Sequence, residues 1–268
     1  MFKQIAWTAL AAIAFLCMAG ACTYGQATTA PSAAPTTRRA PKPRTPQDAI
    51  TPQIKGESEQ QQRGFVRRHE QFMQRKAQGP IDLLFIGDSI TDFWPRRGQP
   101  SWKKFEEKYH PADFGISGDR TEHVLWRLDN GEIDGITPNP KVVVIMIGTN
   151  NIGHFPDEKA EWAAAGVTKI VQTVREKLPD SKILLLGVFP RDTKDSPRRE
   201  KVTQINEIIS KLDDGGQHIR YLDIGDKFLD SNGEIPKDIM PDKLHPTTQG
   251  YDIWYGAMEP TLEEMMKS

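Results

Sequence analysis

Leu83-Leu84-Phe85-Ile86-Gly87-Asp88-Ser89-Ile90-Thr91 is the stretch that decides the fold. Its apolar run, Leu83 to Ile86, is too short for a helix and stops at Gly87, so it reads as a parallel strand buried on both faces. A serine just past the end of such a strand stands where open α/β sheets bind ligands. Gly-Asp-Ser also occurs in ordinary turns, where Asp and Ser bond their own backbone. Ser89 therefore needs partners elsewhere in the chain to be more than a turn residue.

Asp242-Lys243-Leu244-His245-Pro246 supplies them. A hydroxyl is a poor nucleophile until a base takes its proton, and histidine is the side chain whose ordinary pKa suits that task near neutrality. Asp242 lies three residues before His245, close enough in a turn to accept from the ring and fix its tautomer. Asp88 then reads as a holder of the turn, because Asp242 is the better placed carboxylate for His245.

Around the first strand the elements alternate. Phe65, His69, Phe72 and Met73 recur at helical spacing until Gly79-Pro80, with structure beginning near Ser58, so His69 is a packed or half-exposed helix residue and not a ligand. Helices are predicted over Ser101–Tyr109 and Thr121–Leu128, with a short strand at Ala112–Phe114 between them. Val142–Ile147 is a continuous β-branched run and reads as a central strand. Ile183–Val188 and Ile219–Ile224 are the fourth and fifth strands, preceded by helices carrying Val167 to Leu178 and Val202 to Leu212. A last helix carries Tyr251, Trp254, Tyr255 and Met258, and Pro260 kinks or ends it. Strands alternating with helices imply an α/β domain with a parallel sheet covered on both sides.

Two further strand ends carry glycine loops: Phe114-Gly115-Ile116-Ser117-Gly118-Asp119, and Ile147-Gly148-Thr149-Asn150-Asn151. Glycine lets a backbone N–H approach a ligand closely. Backbone N–H groups with an asparagine amide are suitable donors to the oxyanion of an acyl-transfer intermediate.

Gly87-Asp88-Ser89, Gly118, Asn150 in Gly-Thr-Asn-Asn, and Asp242-x-x-His245 stand in the order of four sequence blocks, and on them the chain resembles the SGNH (GDSL-type) hydrolases. The likeness is close to the catalytic subunits of the intracellular platelet-activating-factor acetylhydrolases and their bacterial relatives, through Phe114-Gly115, His123-Val124-Leu125-Trp126-Arg127-Leu128 and Asn130-Gly131-Glu132. It runs from about Ile81 to the C-terminus and leaves out the N-terminal segments and the first helix. The resemblance implies a flavodoxin-like three-layer sandwich with a five-stranded sheet in the order 2-1-3-4-5. It implies Ser89 as nucleophile, His245 as base, Asp242 as its orienting acid, and Ser89 N–H, Gly118 N–H and the Asn150 side chain as the oxyanion hole. Ser117 stands where close relatives often have glycine, and Asn151 where many members have aspartate. No cofactor is implied.

Ahead of this domain, Lys3, the apolar run Ile5 to Met18 and Ala19-Gly20-Ala21 form an export signal over residues 1–21, too short for a membrane span of about 20 apolar residues. A retained anchor is the competing reading. Cys22 follows directly and resembles the lipid-modified cysteine of bacterial lipoproteins, although Ala19 stands where such signals usually carry leucine. The protein is thus expected outside the cytoplasm, periplasmic or extracellular, and at a membrane only if Cys22 is lipidated. Residues 22–56, rich in Ala, Thr and Pro with scattered Arg and Lys, are expected to be a disordered tether, and 57–268 the hydrolase domain.

Composition narrows the partners. Thirty-five Lys and Arg balance 36 Asp and Glu for a net charge of −1, so no global field gathers nucleic acid. Both cysteines, Cys17 and Cys22, precede the domain, which must rely on its core instead of disulfides. His110, His123, His154 and His218 have no metal-ligand spacing and there is no H-E-x-x-H; His154 either lines the site or is a plain loop residue. Trp126 and Arg127 are expected to pack their helix against the loops.

Strand-end loops this short leave no sequence for a long lid, so the expected pocket is shallow and open, suited to short acyl groups. Phe93-Trp94-Pro95 and the aromatic in Asn151 to Pro156 either stack on a sugar ring or belong to the core. The expected substrate is a small ester, an acetylated carbohydrate above others. The alternatives are an O-acyltransferase, a lysophospholipase-like esterase, or a non-catalytic carbohydrate-binding module on the same fold.

Overall fold

Sequence alternation within each strand sorts the apolar side chains onto two faces, and the whole architecture follows from it. In the computed structural model, which describes residues 43–267, Leu84 and Ile86 enter one hydrophobic cluster while Leu83 and Phe85 enter another. Val143 and Ile145 separate from Val142, Val144 and Met146 in the same way. These are the two faces of strands buried on both sides.

The elements in order are α1 (Pro46–Ile50), α2 (Glu59–Ala77), β1 (Leu83–Gly87), α3 (Ser89–Asp92), α4 (Trp94–Arg97), α5 (Gln99–Lys108), β2 (Pro111–Gly115) and α6 (Thr121–Asp129). Then follow β3 (Val142–Met146), α7 (Thr149–His154), α8 (Ala160–Lys177), β4 (Lys182–Leu186), α9 (Pro197–Ile209), β5 (Ile219–Leu222) and α10 (Thr248–Lys267). All pairs are parallel and the order is β2-β1-β3-β4-β5, with Gly87 opposite Gly115 on one side and Met146 on the other. The five-stranded α/β sandwich expected from the sequence is therefore the fold.

One face packs against α2, α6, α8 and α9 through Phe72, Leu125, Val167 and Ile205. The other packs against α4, α5 and α10 through an aromatic group in which Trp94 lies 4.0 Å from Trp254 and 5.5 Å from Tyr251, ring centre to ring centre. Trp94 is fully buried, so it belongs to the core and cannot stack on a ligand. Pro260 does not end α10: Leu262, Met265 and Met266 continue its buried stripe to Lys267, and their burial outweighs the one backbone bond that proline removes. Among the described residues no helix is long and apolar enough to cross a membrane.

The tether expected to run to residue 56 gives way to packed chain by Arg44. Arg44 pairs with Glu158 at 2.8 Å and Glu122 at 3.0 Å, Ala49 is fully buried, and its carbonyl accepts from Thr121 Oγ1 at 2.8 Å. Gln53 N–H donates to Glu122 O at 3.0 Å. Buried ion pairs and backbone bonds hold this strap together with two isolated apolar anchors, Ala49 and Ile54, which form no periodic stripe, and this is why its composition gave no sign of it. The export signal expected over residues 1–21, with Ala19-Gly20-Ala21 as its expected cleavage site, and Cys22 lie outside the described residues.

Candidate active site

Ser89 opens α3 directly beyond β1. Asp88 caps the helix, its Oδ1 accepting from Ile90 N–H at 3.0 Å, so the carboxylate holds the turn as expected. Being first in its helix, Ser89 has an N–H with no intrahelical acceptor. Tyr251 Oη donates to Ile90 O at 2.7 Å and ties the turn to α10.

The Asp242–His245 loop comes back to this point. Ser89 Oγ lies 3.0 Å from His245 Nε2, and His245 Nδ1 lies 2.6 Å from Asp242 Oδ2. Asp242 Oδ1 also accepts the N–H groups of Leu244 and His245, at 3.1 and 2.8 Å. Burial works against the charge on Asp242, yet these donors hold its carboxyl below the usual carboxylate range. Lys243 adopts φ +55, a left-handed conformation unusual for a side-chain-bearing residue, and its carbonyl accepts Asp192 N–H at 2.9 Å. Phe93 flanks the imidazole at 5.4 Å between ring centres. A hydroxyl, an imidazole and a carboxylate in line can pass a proton from the first to the second.

Gly118 and Asn150 are brought to the same strand-end region. Asn150 sits in the first turn of α7, where the sequence suggested only a loop, and donates one amide hydrogen to Asp119 O at 2.9 Å. Gly118, at φ +77, shows no acceptor for its N–H among the described residues. Asn151 serves structure instead: its amide accepts Thr121 N–H at 3.1 Å and donates to Thr121 Oγ1 at 2.9 Å.

Beside Gly118 opens a cleft of 570 Å³, lined among others by Lys55, Phe65, Ile116, Arg120, His154 and Phe155. The open, shallow pocket expected from short loops gains a wall from the strap and α2, segments lying outside the family likeness. His154 does line it, hydrogen-bonded to Arg120 at 3.3 Å, and burial together with Arg120 and Lys55 lowers its pKa. His123 is buried beneath, bonded to Arg120 at 3.0 Å, and burial first and the neighbouring cations next push its pKa down to about 2. His69 packs in α2 with Nε2 3.2 Å from Asn130 O. No group of residues suited to a metal ion occurs among those described.

The parts played by Lys55 and Arg120 escaped the sequence reading, and Arg127, expected to pack its helix against the loops, does so as the centre of a buried ion cluster. Arg127 is fully buried and bonds Asp119 at 3.0 Å and the Glu132 carboxylate. An arginine set among apolar residues, in Val124-Leu125-Trp126-Arg127-Leu128, was the available signal for it.

Three buried carboxyls near the sheet's ligand end have raised pKa values, burial being the largest cause in each: Asp88 to about 7, Asp113 to about 8 and Asp119 to about 6. Because the folded state holds these protons more tightly than the unfolded chain, their contribution is full below about pH 4 and is lost as pH rises through 6 to 8. We expect the carboxyl share of the urea-unfolding free energy to fall from pH 5 to pH 8 by about 1.4 kcal/mol per pH unit for each carboxyl until its folded pKa is passed, while His123, held neutral by burial, works in the opposite direction below about pH 6.5. Asp113→Asn should flatten that slope; an unchanged slope would show that Asp113 ionises normally.

Comparison with known proteins fits this geometry. The profile of the GDSL-like Lipase/Acylhydrolase family matches residues 85–253. The human platelet-activating factor acetylhydrolase IB subunit alpha1 is 35% identical over 198 residues, covering 74% of this chain and 82% of that protein. The chain belongs to the GDSL-like lipase/acylhydrolase family. It is a carboxylic ester hydrolase. Solved structures share the fold: a GDSL-like lipase from Bacteroides thetaiotaomicron, 20% identical with a TM-score of 0.57, covers 75% of this chain and 98% of that one. An acetylxylan esterase from Geobacillus stearothermophilus, 21% identical with a TM-score of 0.53, covers 68% and 93%.

Proposed function

We propose that this GDSL-type hydrolase removes short acyl groups, acetyl above others, from hydroxyls of carbohydrates, with Ser89 as nucleophile. His245 Nε2 takes the Ser89 proton as Oγ attacks the ester carbonyl, and Asp242 holds the imidazole in the tautomer that can do so. The tetrahedral oxyanion is held by the N–H groups of Ser89 and Gly118 and by the second Asn150 amide hydrogen. His245 returns the proton to the departing alcohol, then activates the water that attacks the acyl-enzyme and restores Ser89.

The observation that carries this is the line Ser89 Oγ, His245, Asp242 at 3.0 and 2.6 Å, next to an Asn150 amide with one hydrogen already spent on Asp119 O. The acyl preference is supported by the cleft lining. A long chain gains about 0.8 kcal/mol per buried methylene only against a continuous apolar wall. Here Lys55, Arg120 and His154 interrupt Phe65, Ile116 and Phe155, a mixture that suits a hydroxylated ring. The names of the human relative and the Geobacillus neighbour both speak of acetyl release in those proteins. The export signal read in residues 1–21 supports work outside the cytoplasm, where acetyl groups on polysaccharides are plentiful esters.

A chain-length series of p-nitrophenyl esters, run beside acetate release from acetylated xylan and pectin, tests it. Acetate should be preferred to decanoate by at least about tenfold in kcat/KM, and protein from the native host should begin at Cys22 by mass spectrometry. Preference for decanoate, or no acetate from any acetylated glycan, would remove the substrate assignment; an intact Met1 would remove export.

A further inference from the structure

The oxyanion loop is a four-residue turn. Asp119 N–H closes it onto Ile116 O at 3.0 Å, and Gly118 at φ +77 has the conformation of the third residue of a type II turn. Types I and II differ by a flip of the central peptide, here the Ser117–Gly118 amide. In a trans peptide the N–H points opposite to the C=O, so the direction of the Ser117 carbonyl dictates where the Gly118 N–H aims.

Other parts of the loop are fixed from within the domain core. Ile116 N–H donates to Gly87 O at 3.3 Å, Ser117 Oγ to Asp92 at 2.6 Å, and Asn150 to Asp119 O at 2.9 Å. None of these bonds holds the central peptide. The Ser117 carbonyl accepts from the Lys55 ammonium, which also lies 3.2 Å from Asp119 Oδ1. Lys55 belongs to the strap ahead of α2, which is anchored by Gln53 N–H on Glu122 O, and it precedes residues 85–253 of the family match.

We infer that Lys55 is a positioning residue for ester hydrolysis: its ammonium, bonded to the Ser117 carbonyl, locks the turn in the orientation that aims the Gly118 N–H at the substrate and polarises that N–H. The assignment rests on the oxyanion role proposed above for Gly118 and Asn150. A charged donor on the carbonyl makes a stronger bond than a neutral one. It draws electron density along the amide toward oxygen, so the N–H at the other end becomes a better donor, the cooperative strengthening seen in hydrogen-bond chains. The gain grows as negative charge develops on the substrate oxygen, so Lys55 acts on the transition state more than on the bound ester.

The test uses the full chain and p-nitrophenyl acetate, with active sites titrated by a fluorophosphonate. Lys55→Met should lower kcat about tenfold or more with KM within about twofold, since an indirect effect should fall below the 10²–10³ of a direct donor. Lys55→Arg should recover most of kcat and Lys55→Gln, a neutral donor, should lie between; these two decide the matter if Lys55→Met does not fold. Asn150→Ala serves as the marker for the oxyanion hole itself and should lose about 10²-fold or more. If Asn150→Ala is impaired and the Lys55 variants keep wild-type kcat, the role of Lys55 is overturned and the oxyanion hole stands. If Asn150→Ala keeps wild-type kcat, the hole is misplaced and the role of Lys55 falls with it. A raised KM with unchanged kcat in Lys55→Met would make Lys55 a substrate-binding group instead.

Discussion

Ser89→Ala and His245→Ala are each expected to lower kcat by about 10⁴–10⁶-fold, with little change in KM or in unfolding temperature. Removing the hydroxyl deletes the attacking atom, and removing the imidazole leaves a hydroxyl whose proton has no acceptor at 3.0 Å. The two should be strongly non-additive, because either loss abolishes the same covalent step. Asp242→Asn should cost less, about 10²–10⁴-fold, since Asp242 is half exposed and water can partly replace it. Stability should hold because Ser89 Oγ is bonded only to His245 among the described residues, and the turn is held by Asp88 and Tyr251. Steady-state assays with p-nitrophenyl acetate, beside thermal unfolding, decide it. Near-wild-type hydrolysis by Ser89→Ala would sink the nucleophile assignment.

What was legible in the sequence is what a sheet buried on both faces must write there. Leu83 to Ile86 and Val142 to Met146 form unbroken apolar runs because both faces need side chains, and glycine marks the end where backbone and ligand come close. Asp242 and His245 were legible together because a three-residue spacing in a turn suffices to bring carboxylate to ring. Gly118 and Asn150 came from the order of the family blocks, since neither has a pattern of its own. Lys55 had none of these signals. A lysine in a Pro- and Ala-rich tract shows no periodicity, and its carbonyl partner is 62 residues away. The strap was read as a tether for the same reason: fully buried Ala49 and partly buried Ile54 are scattered apolar anchors without a period, and the ion pairs of Arg44 and backbone bonds complete the attachment. Trp94 misled in the other direction, since an aromatic beside a nucleophile can face either way and the core took it.

Arg127→Leu is expected to destabilise the fold by about 3–5 kcal/mol, a large share of the 5–15 kcal/mol that holds a typical domain together. Burial works against the guanidinium's charge, while Glu132 and Asp119 more than offset it and keep its pKa above the ordinary arginine value. All three side chains are inaccessible to solvent. Leucine would fill much of the volume but leave Glu132 with His69, 3.5 Å away, and Asp119 with Lys55. Such an uncompensated buried charge costs far more than the intact pair contributes, and replacing both partners is the milder change. Adding Glu132→Gln to Arg127→Leu should therefore recover about half of the loss or more. The loss should also depend on pH. Arg127 lowers the pKa of Asp119 from what burial alone would impose, so its contribution is full where Asp119 is ionised and shrinks as pH falls through about 6. Urea unfolding at pH 5 and pH 8 measures this: the penalty of Arg127→Leu should be smaller at pH 5. A penalty below about 1 kcal/mol at pH 8 would mean that Asp119 and Glu132 do not carry charge in the folded protein.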